Sequence, residues 1–422
     1  MPKLLVIADD LTGSLDTGIQ FAKCGLFTKV AIESAFFEVE EDTIVLDTES
    51  RHSAPDEAYY RVLVLTKLFK NAEYIYKKTD STLRGNIGIE FKAILDIFNS
   101  PIFFIPAYPE QGRVTKNGVQ YVDGKPVAES SFAKDPLNPA RKSFIPDIIR
   151  EQADIKVFVV PKDRYEAILD GDLETGIYVF DGETREDLEK IGFLLKEKGL
   201  LKYTAGSAGF AETLANLTRI NRQKSLSLLE LQLEAKPLIV ICGSINERSL
   251  RQIEYIKGRR KVLDIILSPE EAFKKKRFFP KISDLRNCEV LVVRTLKDPS
   301  DIELYKEYAI ANSIKPEDIP SIVSKRLGEI SASLLRRLKQ NVIVVFGGDT
   351  FLGIVRKLDI KWLYPLLEVD KGVVLSEWQG KFFITKAGGF GDEDTLERII
   401  NSIEKGFRIS TEVEDAYRRY YG

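Results

Sequence analysis

Three short polar stretches near the start of the chain carry the residues best suited to chemistry. Asp9 and Asp10 stand side by side in "VIADDLTGSLDTG"; Asp47, Glu49, Ser50, Arg51 and His52 follow in "LDTESRHSAP"; Lys78, Asp80, Ser81, Thr82 and Arg84 crowd into "YIYKKTDSTLRGNIG". Paired acids can bind a polyol, hold a cation or accept a proton. Asp10 taken alone is equally suited to capping the helix that follows. Arg51 has the fork geometry that grips a carboxylate, and the cations of the third stretch would fix an anion while Asp80 and the hydroxyls bind alcohols. His52, a lone loop histidine, is more often a surface residue than a switch or a ligand. A solvated turn would explain the glycine and one hydroxyl of the third stretch, but not three such stretches. Together they describe a small, hydroxylated, negatively charged ligand.

The second half of the chain offers backbone rather than side chains. It contains neither G-x-x-x-x-G-K-[ST] nor G-x-G-x-x-G. Instead Gly243–Ser244 in "ICGSINERS" and Gly347, Gly348, Asp349 and Thr350 in "VVFGGDTFLGIV" each follow an apolar run and open a helix-like segment, while Gly388, Gly389 and Gly391 cluster in "TKAGGFGDEDT". Glycine lets backbone N–H groups approach phosphate oxygens, and a helix N-terminus adds partial positive charge. A single stretch of this kind reads more readily as a tight turn. Three in one half favour a nucleotide site.

These stretches need a scaffold, and the apolar pattern supplies one. "KLLVIA", "TIVLDT", "EYIYKK" and "PIFFIPA" read as buried strands, and "SLDTGIQFAKCG", "APDEAYYRVLVLTKLFK" and "NIGIEFKAILDIF" between them carry helix-period apolar residues. The alternation predicts an α/β fold of two domains, each with a largely parallel sheet flanked by helices. Polar clusters at strand ends then face a crevice, because ligands of open α/β sheets bind beyond the carboxyl ends of the strands. "RVTKNGVQYVDGKPVAE" breaks the rhythm, since Asn117–Gly118 and Asp123–Gly124 signal hairpins, and predicts a β excursion on the first domain. Between about Thr218 and Lys236 the chain turns polar, then loosely apolar, and the domain boundary is placed there, dividing 1–225 from 226–422. "PLIVICGS", "KVLDIILS", "CEVLVVRT" and "VIVVFGG" begin a new strand series after it.

Composition bounds the chemistry. A chain of 422 residues is too long for one growing core. Its 62 basic and 64 acidic residues nearly cancel, so no global field favours nucleic acid. No apolar run is long enough to span a bilayer, and "MPKLLVIA" lacks the regions of a secretory signal, so a cytoplasmic protein without a membrane partner is expected. Three scattered cysteines, Cys24, Cys242 and Cys288, and a single histidine argue against a zinc site, a disulfide framework or most histidine-dependent mechanisms. Catalysis has to run on carboxylates, lysine, arginine and backbone dipoles.

Taken in order, "ADDLTGSLDTG", "DTESRH", "KKTDSTLRGNIG", "PAYPEQGRVTKNGVQYVDGKPV", "GSAGFAETL", "GGDT" and "TKAGGFG" resemble the motifs of the four-carbon acid sugar kinase family over essentially the whole chain. Asp349, where that pattern more often has Glu, and "VDKGVVLSEWQG", which is less proline-rich, depart from it. The resemblance implies an N-terminal domain that binds the acid sugar and a C-terminal domain that binds ATP. It places Asp9, Asp10, Arg51, Lys78, Asp80, Ser81 and Arg84 at the sugar acid, and Ser244, Gly347, Gly348, Asp349, Thr350, Gly388 and Gly389 at the nucleotide. The expected reaction is phosphorylation of a terminal hydroxyl of an erythronate- or threonate-type acid to the 4-phosphate, across a cleft closed by the two domains. Asp9, Asp10 or Asp80 would serve as base, and Mg²⁺ would bridge phosphate oxygens with Asp349 as a direct or water-mediated ligand. Homo-oligomerisation is left open. A non-catalytic sugar-acid sensor would use the same groups, while a dehydrogenase is disfavoured by the missing dinucleotide fingerprint.

Overall fold

The computed structural model describes residues 2–33, 40–134, 139–218, 228–233, 235–274 and 280–410. The chain divides into two compact units, Met1–Arg222 and Gln223–Gly422. The boundary expected after residue 225 lies outside the described residues.

The first unit runs β1 (Leu4–Ala8), α1 (Leu11–Lys23), β2 (Thr28–Ile32), β3 (Thr43–Asp47), α2 (Pro55–Leu68), β4 (Tyr74–Lys78), α3 (Ile87–Phe98) and β5 (Ile102–Ile105). It continues with β6 (Arg113–Lys116), β7 (Val119–Val122), β8 (Lys125–Pro126), α4 (Ile145–Gln152), β9 (Val157–Val160), α5 (Tyr165–Leu169), β10 (Ile177–Phe180), α6 (Arg185–Glu197), β11 (Tyr203–Gly206) and α7 (Ala208–Thr218). Its main strands lie in the order β2-β3-β1-β4-β11-β5-β10-β9, and every pairing among them is parallel. Parallel strands covered by helices on both faces must be apolar throughout, and "LLVIA", "TIVLD" and "IFFI" are wholly buried. Phe91 of α3 meets Phe104 of β5 edge-on at 5.1 Å. Burying such a ring stabilises the packing by roughly 1.5–3 kcal/mol. The sequence turns outward from β1 in both directions, to β3 on one side and β4 on the other, which puts a topological switch point at β1.

The excursion is a three-stranded antiparallel sheet, β6-β7-β8. Asn117 and Gly118 both take positive φ, 50° and 70°, as a two-residue hairpin turn with the right twist requires. Asp181, at the end of β10, accepts both of their N–H groups at 2.7 and 2.8 Å and ties the hairpin to the main sheet.

The second unit comprises β12 (Leu228–Leu231), β13 (Leu238–Cys242), α8 (Glu247–Lys257), β14 (Val262–Ile266), α9 (Pro269–Phe273), α10 (Ile282–Arg286), β15 (Val290–Arg294), α11 (Ile302–Ala311) and α12 (Ile319–Leu338). After these come β16 (Val342–Phe346), α13 (Gly348–Leu358), β17 (Trp362–Asp370), β18 (Val373–Trp378), β19 (Lys381–Lys386), α14 (Thr395–Lys405) and β20 (Phe407–Ser410). Strands β14-β15-β13-β16-β19 are parallel, and β18 and β17 extend them as an antiparallel meander. The meander departs from the strand–helix rhythm of the rest; its tight turn is Gln379–Gly380, both at positive φ. A second departure is β12: the stretch in which the domain boundary is placed contributes a strand that pairs antiparallel with β20. Among the described residues no helix is long and apolar enough to cross a membrane.

Candidate functional site

Strand register levels the three polar stretches of the first unit. Ala8 pairs with Asp47 on one side and with Lys78 on the other, so residues 9–10, 48–51 and 79–84 leave the sheet side by side at its carboxyl edge. The expected cluster therefore assembles, but its charges are spent largely on one another. Arg51 grips Asp9 bidentately, Nε to Oδ2 at 2.8 Å and Nη2 to Oδ1 at 3.0 Å, and also donates to Asp10 Oδ1 at 2.6 Å. Arg84 binds Asp80 through Nε at 2.7 Å and Nη2 at 3.2 Å, and Thr82 Oγ1 donates to the same carboxylate. The forks expected to hold a ligand hold the site's own acids.

These pairings set the acidities. Burial works to raise the Asp9 carboxyl, but Arg51, with Lys77 and Lys78, overcomes it and holds the group below its ordinary value. Burial likewise opposes ionisation of Asp80, and Arg84 and Arg51 pull it well below the usual range. Asp47 goes the other way. Burial, reinforced by Glu49 and Asp10, pushes its carboxyl well up, and its Oδ2 is buried without a hydrogen-bond partner.

Adjacent strand residues point to opposite faces, and the two lysines of β4 divide accordingly. Lys77 descends to Glu90 of α3 at 2.7 Å, both side chains about 1% exposed. It also donates to the carbonyls of Ile7 and Lys78 at 3.3 and 2.8 Å, joining the ends of β1 and β4. Lys78, only 4% exposed, turns toward α1. A Cβ on Gly13 would stand 2.5 Å from Asp10 Oδ1 and 2.7 Å from Lys78 Nζ, so only glycine fits beneath them. Asp10 caps α1 by accepting from Gly13 N at 3.1 Å through Oδ1, the role equally open to it from sequence.

Besides Asp47 Oδ2, the cluster includes Lys78 Nζ, Arg51 Nη1, Asp10 Oδ2 and Ser81 Oγ without a hydrogen bond among the described residues. These last four comprise two cations, one carboxylate oxygen and one hydroxyl at one strand edge, the donor and acceptor set for a hydroxy acid. The excursion supports this edge. Gln120 of β7 donates to the Ser81 carbonyl at 2.9 Å, and the guanidinium carbons of Arg84 and Arg113 lie 5.1 and 5.8 Å from the Phe132 ring. His52 is exposed. Glu90 and Gln120 were not singled out from sequence, since nothing local distinguishes a glutamate in a helix or a glutamine in a hairpin.

In the second unit, register again brings three loops together: Cys242 pairs with Phe346, and Phe346 with Lys386. Gly347, at φ 102°, turns the chain from β16 into α13 without a side-chain cap, leaving the N–H groups of Gly348, Asp349 and Thr350 at an open helix N-terminus. A Cβ on Gly388 would fall 2.3 Å from Ser244 Oγ, and one on Gly243 2.4 Å from Thr350 Oγ1, so the loops after β13, β16 and β19 are in contact. Asp349 is exposed on the first turn of α13. Lys386, not singled out from sequence, is 1% exposed at the root of the glycine cluster. Among the described residues no group of three or more His, Cys, Asp and Glu is placed to hold a metal by itself. A single exposed carboxylate, Asp349, at an open helix N-terminus is compatible with Mg²⁺, which keeps much of its coordination for water and other oxygen ligands.

Comparison with known proteins defines the class. Residues 4–214 match a family model described as a sugar-binding N-terminal domain, and residues 239–396 one described as a nucleotide-binding C-terminal domain. This pairing is that of a sugar-acid kinase, a phosphotransferase with an alcohol group as acceptor. The chain is 29% identical to the D-threonate kinase of Salmonella typhimurium, over 96% of this chain and 99% of that one. It is 27% identical to the D-erythronate kinase of Heliobacterium modesticaldum over 93% and 95%, and 26% identical to a 3-oxo-tetronate kinase of Pseudomonas fluorescens over 96% and 98%. A crystal structure of a Haemophilus influenzae protein has the same fold, with a TM-score of 0.69 at 21% identity over 94% of this chain and 100% of that one. The chain belongs to the four-carbon acid sugar kinase family.

Proposed function

We propose that the protein transfers the γ-phosphoryl group of ATP to the terminal hydroxyl of a four-carbon sugar acid of the erythronate or threonate type, giving the 4-phosphate. The observation that carries this reading is Lys78, a nearly buried ammonium with no partner among the described residues, at the same strand edge as Asp10 Oδ2, a carboxylate oxygen that accepts no hydrogen bond among them. An unpaired buried cation is costly unless a ligand completes it. Lys78 Nζ and Arg51 Nη1 bind the substrate carboxylate, and Ser81 takes a hydroxyl. Asp9 and Asp80 orient the guanidiniums. Of the three candidate bases, these two have both oxygens occupied and lowered pKa values, which make them weaker bases, so Asp10 is the proton acceptor.

The acceptor oxygen attacks the γ-phosphorus in line as the bond to the β,γ-bridging oxygen breaks, its proton passing to Asp10 Oδ2 and ADP leaving. Such transfer asks the protein chiefly for alignment and charge stabilisation. The open N-terminus of α13 and the N–H groups of Gly388 and Gly389 hold the phosphates, beside Ser244. Asp349 would hold Mg²⁺ directly or through water, and the ion would neutralise charge on the phosphate oxygens.

A kinase assay over a panel of tetronates, with the product read by ³¹P NMR, tests the reading. Equimolar ADP and sugar-acid 4-phosphate are expected with at least one stereoisomer. Tight sugar-acid binding without phosphorylated product would replace it with a sensor.

A further inference from the structure

The loop that follows β19 is held in an unusual way. Lys386 Nζ sits inside it and donates to the carbonyls of Ala387 at 2.9 Å, Gly388 at 3.4 Å and Phe390 at 3.0 Å, and to Ser249 Oγ at 3.2 Å. Helix α8 engages two of these carbonyl oxygens and two further ones from its side. Ser249 Oγ donates to Gly388 O at 2.9 Å, Arg248 Nη1 to Gly389 O at 3.3 Å, and Gln252 Nε2 to Phe390 O at 3.1 Å and Asp392 O at 2.8 Å. Five carbonyls of residues 387–392 are thus drawn inward, while the N–H groups of Gly388, Gly389 and Gly391 donate no hydrogen bond among the described residues. A peptide plane whose oxygen is tied down on one side presents its N–H on the other. The loop is an array of outward donors kept in place by an inward cation.

We propose that Lys386 is a positioning residue for the nucleotide: from beneath, its ammonium clasps the 387–390 loop and sets the Gly388, Gly389 and Gly391 N–H groups to receive phosphate oxygens. This rests on the nucleotide reading of the second unit given above. The side chain touches no ligand itself; it works through the carbonyls. The three N–H donors of the ammonium serve three carbonyls and a hydroxyl, one donor being shared, and the neutral amine would lose a donor and turn a lone pair toward oxygen.

The clasp carries a pH signature. Burial pulls Lys386 down to about 7. The charged or titratable groups facing it are Arg248 of α8, which disfavours its charge, and Cys242 of β13. The Cys242 thiol is itself pushed up to about 11 by burial and stays neutral over the range used, and the Phe346 ring lies 4.5 Å from Nζ. Phosphates on the outer side of the loop favour the ammonium, so the complex keeps a proton that the free protein releases as pH rises through that value. Nucleotide affinity is therefore highest with the lysine charged, and falls above it.

The test compares wild type with Lys386→Met, using ADP titrations by calorimetry from pH 6.5 to 9 and separate KM values for ATP and sugar acid. Wild type is expected to lose ADP affinity by up to roughly tenfold per pH unit above about pH 7.5, with proton uptake on binding. Lys386→Met should bind ADP at least tenfold more weakly at pH 7, with a flat pH profile and an unchanged sugar-acid KM. ADP affinity within twofold of wild type in the variant overturns the clasp. If the variant does not fold, wild-type affinity that is flat from pH 7 to 9 without proton uptake overturns it equally. Wild-type protein that binds no ADP at any pH overturns the nucleotide reading, and the clasp falls with it.

Discussion

Lys78→Met separates ligand binding from folding more sharply than any other single change. The lysine is 4% exposed and its ammonium forms no hydrogen bond or ion pair among the described residues, so removing its charge leaves no protein group unpaired. Methionine keeps the length and apolar stem, and an uncompensated ammonium no longer has to be desolvated. Lys78 does help keep Asp9 ionised, though less than Arg51 and Lys77. The melting temperature without ligand should therefore hold or rise. Binding should suffer, because a hydrogen bond to a charged group is worth about 1.5–3 kcal/mol. At about 1.4 kcal/mol per tenfold, the KM for the sugar acid should rise roughly 10- to 150-fold with the KM for ATP unchanged. A coupled ADP-release assay and thermal melting with and without sugar acid read both quantities. A variant that melts several degrees lower yet keeps its sugar-acid KM would make Lys78 a structural residue and refute the reasoning.

Asp10→Asn retains the N-cap on α1 but loses the proton acceptor, so turnover should fall about 10²- to 10⁴-fold with the melting temperature little changed; Asp80→Asn should instead show its main loss in stability. Arg51→Met strands the buried Asp9 carboxylate and should cost roughly 3–5 kcal/mol in chemical denaturation of the first unit. Because Asp9 and Asp80 have depressed folded values, their contribution is complete above the ordinary 3.8 and is lost as pH falls below it. Acid unfolding followed by near-UV circular dichroism should begin there, and at higher pH in Arg51→Met. Gly388→Ala puts a Cβ within 2.3 Å of Ser244 Oγ and should raise the KM for ATP while sparing that for the sugar acid.

Much of the scaffold could be read before any coordinates. Wholly apolar runs such as "LLVIA" and "IFFI" have no solvent face to offer, so parallel strands under helices are their natural setting, and "NG" announced its hairpin turn. The meander of β17, β18 and β19 was missed because its strands carry no clean alternation and continue an apolar series of the other kind. The short "LLEL" of β12 acquires strand character only from β20, a partner at the far end of its unit. At the site, residue types were legible and their allegiances were not. An arginine 42 positions from Asp9 suits a bound anion or a neighbouring carboxylate equally well, and only the register of β1 against β3 and β4 decides. Alternation along β4 required Lys77 and Lys78 to diverge, without saying which would meet Glu90. Lys386 was not singled out, because nothing local in "TKAGGFG" shows that its ammonium is surrounded by the loop's own carbonyls.

The antiparallel pairing of β12 with β20 fastens the beginning of the second unit to its end. A unit stitched in this manner depends little on where its backbone is interrupted: a short peptide from Ser410 to Leu228 would close it into a ring, and fresh ends could be cut at an exposed loop such as that at Ser313. Trimming the chain back to Gly406 has the opposite character, since it unravels a seam whose other half lies nearly two hundred residues upstream.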